Sequence, residues 1–406
     1  MKTIRFGVIG IHGFSRNHIN QLQTLMQQKA PASLVACVAH ARELDEPYAA
    51  GLEAAGVKLV KDLDALLAMK DELDVITVPV GIHLHVPMSM KALAAGYHVY
   101  VEKPLVGAIQ DGLLLAEAAA KARGRLFVGY NDMYQPATLA LKRELASRTH
   151  GAVRRITVAA AWPRYFTYFA RNNWAGKLSI NGTWVLDCPA NNACAHYVNL
   201  ALYWAGATEG ASAHPVSVTA ELARANAIES ADTTAFRVLT AEGVEVVFVA
   251  SHACRNVKGP LFRIECEKAL ITSQRGAKGQ FDWAVVRPGQ EPEKRGQEFE
   301  TVLSLGSTAR VLNGEALPIC TIEQALEQTR AIDGAFLSSP ITTISDSVYV
   351  EETVEKGERL RYVPAMNAIL DACLEKGLLP SETGLAPWIK PGKTVNVDTL
   401  REFKLG

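Results

Sequence analysis

The sequence predicts a doubly wound parallel α/β sheet at the N-terminus, followed by an α+β domain with a large open, mostly antiparallel sheet. Short β-rich apolar runs alternate with helical segments over residues 1–130, and such alternation favours a parallel sheet. Beyond that point, strand-like runs separated by polar turns are typical of an antiparallel sheet. We therefore expect a domain over residues 1–130, a second over residues 131–338, and a C-terminal tail over residues 339–406 that packs on the body.

The composition argues against several classes of protein. Lys and Arg together number 42, Asp and Glu also number 42, and the formal net charge is zero, so nothing indicates a nucleic-acid partner. No apolar stretch is long enough to span a membrane. The seven cysteines contain no Cys-x-x-Cys pair, which favours reduced thiols over a disulfide framework. We expect a cytoplasmic protein with no membrane or nucleic-acid partner.

A glycine-containing turn joins the first strand to the first helix. Strand, glycine turn and helix form the context of a dinucleotide-binding fingerprint, in which backbone N–H groups at the helix start hold phosphate. The match is imperfect, because His12 stands where the second glycine normally lies. An ordinary turn between a strand and a helix is the alternative. The candidate cofactor-binding residues of this turn are Gly10, His12, Gly13, Phe14 and Ser15.

The end of the second strand, at residues 34–39, bears on the choice of cofactor. NAD-specific sites usually place an acidic residue there to bind the ribose hydroxyls. This chain instead has His40 and Arg42, and an arginine would meet the 2′-phosphate of NADP. Glu43 and Asp45 are near enough to keep NAD open. We expect NAD or NADP as the cofactor, with His40 and Arg42 among its contacts.

Another predicted strand ends in Glu102-Lys103-Pro104, where the proline stops it. The carboxyl ends of the strands of an open α/β sheet form its ligand-binding rim. The Lys103 amine is therefore expected at the mouth of a cleft. We take Glu102 and Lys103 as candidate cofactor contacts, and Lys103 also as a catalytic and substrate-binding candidate.

Pro79 and His83 are expected at the same rim. Residues 73–79 read as a strand, and a helix is predicted from about residue 86, so His83 and His85 would lie between the two. Two histidines at i and i+2 suggest a metal only with a third ligand, and the nearby sequence offers none. We predict no metal site, and count Pro79 and His83 as cofactor contacts.

Four segments follow one another at a characteristic spacing: residues 7–10 with His18, residues 77–79 with a following histidine, residues 95–104, and residues 129–136. In these segments the chain resembles the glucose–fructose oxidoreductase, inositol dehydrogenase and rhizopine-catabolism (Gfo/Idh/MocA) family. The resemblance implies a Rossmann domain, nicotinamide-dependent redox chemistry on sugars, inositols or related polyols, and Lys103 in the active site. It also implies a homodimer or homotetramer formed through the open sheet of the second domain.

An aromatic stretch rich in Arg and Asn, residues 163–174, suits a polyhydroxylated ligand. Aromatic faces pack on sugar C–H surfaces, polar tips fix hydroxyls, and Arg164 and Arg171 would pair with an acidic substituent. An irregular loop packed against the domain is the alternative. The candidate substrate-binding residues of this stretch are Arg164, Tyr168, Arg171, Asn172 and Trp174.

The segment after Asp187 carries the candidate proton-transfer group. Relatives in the resembled family have an Asp, a catalytic His four residues on, and another Asp three further. Counting from Asp187 puts Asn191 at the histidine position, whereas counting back from the end of the next helix puts His196 there and Asn199 at the second acid. We prefer His196, because histidine accepts a proton near neutral pH, and this requires an added turn near Pro189.

Asn192, His196, Asn199 and Tyr203 would form a polar stripe on this helix. A core histidine satisfied by hydrogen bonds is the alternative interpretation of His196. We count Asn191, Asn192, His196 and Asn199 among the candidate substrate contacts. Farther on, residues 361–376 are predicted to be helical.

The predicted activity is hydride transfer between nicotinamide and a carbinol carbon of a sugar, inositol or sugar derivative. His196 is the candidate acid/base, Lys103 hydrogen-bonds the reacting oxygen, and Asp187 orients His196. A second hypothesis uses the same groups to cleave glycosidic bonds through transient oxidation and elimination. A third hypothesis is a non-catalytic sensor of dinucleotides or sugars, and the altered glycine turn favours it.

Overall fold

The structure is a computed structural model that describes residues 1–275, 281–295, 303–317, 319–354 and 357–405. The chain divides into two compact units. The first, called the N-terminal unit, contains Met1–Val106, Asp111–Gln135 and the described part of residues 301–325. The second, called the C-terminal unit, contains Gly107–Gln110 and the described residues from Pro136 to 300 and from Leu326 onward.

Six parallel strands form the sheet of the N-terminal unit, in the order 3-2-1-4-5-6 of a doubly wound nucleotide-binding fold. These strands are β1 (Ile4–Val8), β2 (Ala32–Val38), β3 (Lys58–Val60), β4 (Val75–Val78), β5 (His98–Val101) and β6 (Leu126–Val128). The helices between and beside them are α1 (Ser15–Gln27), α2 (Pro47–Ala54), α3 (Leu63–Leu67), α4 (Ile82–Ala94) and α5 (Ile109–Lys121). The predicted parallel sheet is confirmed.

The later helices are α6 (Pro136–Ala146), α7 (Phe166–Ala170), α8 (Ala195–Ala205), α9 (Ser304–Leu312), α10 (Ile322–Ser338) and α11 (Met366–Lys376). The later strands are β7 (Val153–Ala161), β8 (Ser179–Ile180), β9 (Thr183–Trp184), β10 (Pro215–Arg224), β11 (Thr233–Thr240), β12 (Glu245–Ser251), β13 (Lys258–Cys266), β14 (Leu270–Arg275), β15 (Phe281–Val286), β16 (Glu293–Arg295), β17 (Ile341–Thr343), β18 (Val350–Thr353), β19 (Arg359–Tyr362) and β20 (Val395–Asn396).

Helix α9 packs in the N-terminal unit, although it lies far along the chain. Its Leu305 and Ala309 are fully buried in the same apolar cluster as Ile19 and Leu22 of α1. The predicted division placed this segment in a second domain over residues 131–338. The structure differs, because burying the apolar side of α1 requires a helix that the chain supplies only after the large sheet.

Ten strands form the sheet of the C-terminal unit, in the order β16-β15-β14-β13-β7-β12-β11-β10-β17, with β20 pairing β10 as well. All pairs are antiparallel except β7 with β12 and β10 with β17. Side chains alternate between the two faces. Phe236 and Phe248 stack with ring centroids 5.1 Å apart on one face, while Ala235 and Val247 belong to a cluster on the other. The predicted open, mostly antiparallel sheet is confirmed.

Residues 339–405 cover much of that second face. Met366, Ile369 and Leu370 of α11 are almost fully buried against the small side chains of the central strands. Residues 361–376 were predicted to be helical throughout, and this is wrong for the first part. Arg359–Tyr362 is a strand, and α11 begins after Pro364. A proline disfavours helical backbone at the residue before it, so the helix cannot easily include residue 363.

Two other local predictions need correction. Helix α4 begins at Ile82 instead of residue 86, so His83 and His85 lie within its first turns. Asn192 precedes α8, which begins at Ala195, so it does not belong to the helical stripe with His196. No helix in the described part of the chain is long and apolar enough to cross a membrane.

Candidate functional site

The turn after β1 has the tight backbone of a phosphate-binding turn at Gly10. Gly10 has a φ of 90°, and a Cβ there would lie 2.8 Å from Ser15 Oγ. Ser15 is the first residue of α1, and its hydroxyl donates to the Ile9 carbonyl at 2.9 Å. Gly13 also has a positive φ, and Phe14 beside it is 43% exposed. The turn is therefore tight at Gly10 and open at Gly13 and Phe14.

His12, at the second glycine position of the fingerprint, is held by side chains. Arg16 donates to its Nδ1 at 3.1 Å, and its Nε2 lies 2.9 Å from the Glu46 carboxylate. The Arg16 guanidinium also lies 4.3 Å from the centre of the Tyr48 ring. The imidazole is thus tied to the segment that follows β2.

The residues after β2 are arranged around Glu43. Its buried carboxylate accepts the His40 backbone N–H at 2.9 Å and caps a short 3-10 helix, Ala41–Glu43. His40 and Arg42 are both exposed. The acid that sequence reasoning sought at this strand end is therefore present at Glu43, but it is engaged by the backbone.

These features fit a bound dinucleotide. Gly10 allows close approach of the backbone, and the positive end of the α1 dipole favours a phosphate, while the Ser15 and Asn17 N–H groups donate to the His12 and Phe14 carbonyls. Arg42 and Glu46 follow β2, the strand whose end meets the adenosine ribose in such folds, and both Glu46 and Arg16 contact His12. This end carries both charges, so it does not decide between NAD and NADP.

Lys103 lies immediately after β5, at the carboxyl end of the parallel sheet, and is half-buried. The Lys103–Pro104 peptide bond is cis. His85 of α4 bridges to this segment, with Nδ1 2.9 Å from the Pro104 carbonyl oxygen and Nε2 3.1 Å from that of Val80. Burial lowers the pKa of His85. Its ring therefore connects the start of α4 to the turn that carries Lys103.

Pro79 and His83 lie at the same end of the sheet as Lys103. Pro79 is buried directly after β4, and His83 is half-buried in the first turn of α4. Burial lowers the pKa of His83, which favours a neutral ring.

Glu102 and His18 form a buried pair beneath Lys103. His18 Nε2 lies 2.9 Å from Glu102 Oε1, and Glu102 Oε2 accepts the Lys103 backbone N–H at 3.1 Å. His18 is fully buried and Glu102 only 5% exposed. A Cβ on Gly129 would lie 2.8 Å from Glu102 Oε1, which explains the glycine there. Glu102 is thus a buried anchor of the Lys103 backbone, where we had predicted a cofactor contact.

In the C-terminal unit, Asp187 organises the segment before α8. Its Oδ2 accepts the Gly176 N–H at 2.6 Å, and its Oδ1 accepts from Asn192 Nδ2 at 2.7 Å. A 3-10 turn at Pro189–Asn191 follows, as the preferred reading of His196 requires. His196 then occupies the first turn of α8 and is half-buried.

Asn191 and Asn199 are both buried. Asn191 donates to the Val185 carbonyl at 3.0 Å and accepts from Gln328 at 3.2 Å, so its amide holds the turn together. Asn199 is 0% exposed on α8. Of these polar residues, Asn192 and His196 keep exposed surface.

The segment between β7 and α8 brings two guanidinium groups onto one tyrosine. Arg171 Cζ lies 3.7 Å and Arg164 Cζ 4.8 Å from the centre of the Tyr168 ring. Trp162 and Trp174 flank them, at 5.7 Å from Arg164 and 5.2 Å from Arg171. We call these five residues the arginine–aromatic cluster.

Asn172 shapes the cluster without joining it. Its Oδ1 accepts the backbone N–H groups of Trp174 and Ala175 at 3.1 and 2.8 Å. The side chain thus fixes the turn after Arg171, where we had expected a substrate contact.

Sequence reasoning missed His252, which lies directly after β12. Its Nδ1 donates to the Trp162 carbonyl at 2.8 Å, and its ring packs edge-on against Tyr168 at 5.8 Å. Burial, reinforced by Arg164, lowers the pKa of His252 from its ordinary 6.5 to about 3. The parallel pairing of β7 with β12 brings it beside Trp162, and the sequence carries no local signal of that pairing.

Known proteins match this chain chiefly over its N-terminal domain. Residues 4–130 match the GFO_IDH_MocA family model, described as an oxidoreductase family with an NAD-binding Rossmann fold. The match covers the N-terminal domain, and it confirms the resemblance of the motifs to that family.

Among curated proteins, the chain is 27% identical over 163 residues to a dTDP-3,4-didehydro-2,6-dideoxy-alpha-D-glucose 3-reductase of Streptomyces violaceoruber, covering 40% of this chain and 46% of that one. It is 29% identical over 152 residues to an inositol 2-dehydrogenase of Acidothermus cellulolyticus, covering 37% and 42%. The chain spans about half the length of the curated relatives it matches.

Solved structures share the fold more widely. The WlbA dehydrogenase from Bordetella pertussis, in complex with NADH and UDP-GlcNAcA, superposes with a TM-score of 0.68 at 22% identity, covering 83% of this chain and 96% of that one. An aldose-aldose oxidoreductase from Caulobacter crescentus superposes at 0.66 with 18% identity, covering 82% and 96%. At these identities the likeness concerns the fold alone, and part of this chain has no counterpart in either.

Proposed function

We propose that the protein is an NAD- or NADP-dependent oxidoreductase that transfers a hydride between nicotinamide and a carbinol carbon of a sugar, inositol or sugar derivative. The observation that carries this proposal is the match of residues 4–130 to an NAD-binding oxidoreductase family, with Lys103 at the carboxyl end of its parallel sheet. The relatives named as a sugar reductase and an inositol dehydrogenase support the substrate class.

Bound NAD or NADP would supply the acceptor or donor of the hydride. The chain itself must hold the cofactor, orient the carbinol and exchange the hydroxyl proton. We assign cofactor binding to the turn from Gly10 to Ser15, to His40 and Arg42, and to Pro79 and His83. His12 contributes by holding the turn against Glu46.

Lys103 and His196 are the proposed proton-handling groups. The Lys103 ammonium donates a hydrogen bond to the reacting oxygen, while His196, a half-exposed imidazole, accepts the hydroxyl proton during oxidation. Asp187 fixes the turn ahead of α8 through Gly176 and Asn192, so it acts as a positioning residue for His196.

The test uses purified protein with NAD or NADP and a panel of neutral polyols, acidic sugars and aryl glycosides. Accumulation of reduced nicotinamide with one of the polyols or sugars is the expected result. Lys103→Met should reduce turnover by about 10²–10⁴-fold while the dinucleotide still binds. Lys121→Met, which removes an exposed lysine of α5, is the matched control and should leave turnover unchanged.

Other outcomes of that assay would overturn the proposal. Release of the aryl alcohol without net reduction would favour redox-assisted glycoside cleavage. Failure to bind either dinucleotide would favour a non-catalytic sugar sensor and would direct attention to His12.

We also propose a cytoplasmic homodimer or homotetramer. The seven cysteine thiols, all within the described residues, form no disulfide, which suits a reducing compartment. The second face of the ten-stranded sheet is covered at its centre by α11. An oligomer must therefore use other surfaces, such as the part of the sheet formed by β14 to β16.

A further inference from the structure

The arginine–aromatic cluster concentrates positive charge. Among the described residues, no carboxylate lies within ion-pair distance of Arg164 or Arg171, whereas Arg155, Arg237 and Arg295 of the same unit are all paired with glutamates. Arg164 and Arg171 instead donate to the neighbouring carbonyls of Pro163 and Tyr168. Unmatched guanidinium groups of this kind attract anionic oxygens.

One donor of Arg164 is directed inward. Its Nε is buried and finds no acceptor among the described residues. Buried N–H groups are nearly always hydrogen-bonded, so an unused one beside a second guanidinium indicates a position for an acceptor. Asp187 accepts from Gly176 and Asn192 and is not the acceptor of this N–H.

Among the neighbouring groups, the Asp187 carboxylate supplies negative charge, and its electrostatic effect adds to burial in raising the pKa of the Tyr168 hydroxyl. His252 behind Tyr168 is held neutral at physiological pH by its lowered pKa. Burial raises the pKa of the Tyr168 hydroxyl, so this group also stays neutral. The five residues of the cluster themselves therefore carry two positive charges and no negative charge.

The cluster is held in place from behind. Arg359 and Arg361 of the β18–β19 hairpin lie 4.5 and 5.3 Å from the centre of the Phe166 ring of α7. Thr167 of the same helix donates to Glu358 at 2.8 Å. Each of these hairpin arginines is paired with Glu351, so they support the segment without competing for a ligand.

We propose that the arginine–aromatic cluster binds an anionic substituent of the substrate, a carboxylate or a phosphate carried on a sugar ring. The guanidinium groups pair with the anionic oxygens, and Trp162 and Trp174 present aromatic faces to the C–H groups of the ring. This inference rests on the proposed function for the reaction, but the binding it describes needs neither cofactor nor turnover.

The test is a titration of the full-length protein, followed by tryptophan fluorescence, without dinucleotide. The probes are glucuronate, glucose 6-phosphate and glucose, which share a ring and differ in charge. Glucuronate or glucose 6-phosphate should bind at least tenfold more tightly than glucose, and the tighter of the two identifies the anion.

Variants then locate the binding. Arg164→Met and Arg171→Met should each weaken binding of the preferred anionic sugar roughly 10-fold or more, as expected for a lost charge-assisted hydrogen bond. Arg164→Lys, which keeps the charge but loses the planar fork, should fall between the parent and Arg164→Met. Arg143→Met, at an exposed position on α6, is the matched control and should bind like the parent.

Equal binding of glucose and the anionic sugars, or parent-like affinity in Arg164→Met and Arg171→Met, would overturn the inference. Circular dichroism shows whether each variant is folded. If a methionine variant is not folded, the affinity of Arg164→Lys decides the outcome. If the anionic sugar binds but no reduced nicotinamide accumulates, the proposed reaction is wrong and this inference stands. If the protein oxidises a neutral polyol and Arg164→Met oxidises it at the same rate, this inference is wrong and the proposed reaction stands.

Discussion

The Glu102–His18 pair and the arginine–aromatic cluster differ in burial and in whether their side chains have an oppositely charged partner within the protein. Glu102 and His18 are buried and use each other, with Glu102 also accepting the Lys103 N–H. Arg164 and Arg171 retain exposed surface and have no carboxylate partner among the described residues. The first arrangement fixes a backbone position. The second leaves binding capacity for a molecule from solution. Mutations should therefore affect stability at the first site and ligand affinity at the second.

The largest effect on stability is expected for Glu102→Ala. Removing one partner of a buried pair leaves the other uncompensated and costs about 3–5 kcal/mol of unfolding free energy. Chemical denaturation followed by circular dichroism measures this change. Glu117→Ala, at an exposed position of α5, is the control and should unfold like the parent. If both variants unfold alike, Glu102 does not anchor the turn.

A second effect on stability, which depends on pH, is expected from His252. Its folded pKa is about 3, against an ordinary value of 6.5, so between these values the unfolded chain binds a proton that the folded chain does not. The contribution of His252 is therefore complete above pH 6.5 and declines as the pH falls towards 3, by at most about 1.4 kcal/mol per pH unit. His252→Asn keeps a donor for the Trp162 carbonyl and should flatten this slope. An unchanged slope in unfolding experiments from pH 7 to 4 would contradict the assignment.

The smallest effect is expected for Arg164→Met and Arg171→Met on stability. Since neither arginine has a carboxylate partner in the described chain, each substitution should change the unfolding free energy by no more than about 0.5 kcal/mol. The same denaturation experiment measures it. A loss comparable to that of Glu102→Ala would make the cluster a structural element and erase the contrast between the two regions.

How far the sequence predicts this molecule also differs between the two regions. In the N-terminal unit, local motifs indicated the parallel sheet, the turn at Gly10 and the position of Lys103 at a strand end. The start of α4 was predicted at about residue 86, which placed His83 and His85 before the helix, whereas the helix begins at Ile82. Pro87 lies inside the helix, where it cannot donate the hydrogen bond back to the His83 carbonyl.

The remaining differences arise from contacts between distant parts of the chain. The return of α9 to the N-terminal unit depends on packing against α1, and no local pattern encodes that pairing. His252 reaches Tyr168 only because β12 pairs with β7. Asn172 and Asn191 have the composition of ligand contacts, but backbone groups that only the fold brings near use their amides.

The central claim is that this chain oxidises or reduces a carbinol using NAD or NADP. The most direct test incubates the purified protein with each dinucleotide and the sugar that it binds best, and follows reduced nicotinamide by absorbance in parent, Lys103→Met and Lys121→Met proteins. The account predicts that reduced nicotinamide accumulates in the parent and in Lys121→Met, and falls by about 10²–10⁴-fold in Lys103→Met. Equal rates in all three proteins, or no change with either dinucleotide, would contradict it.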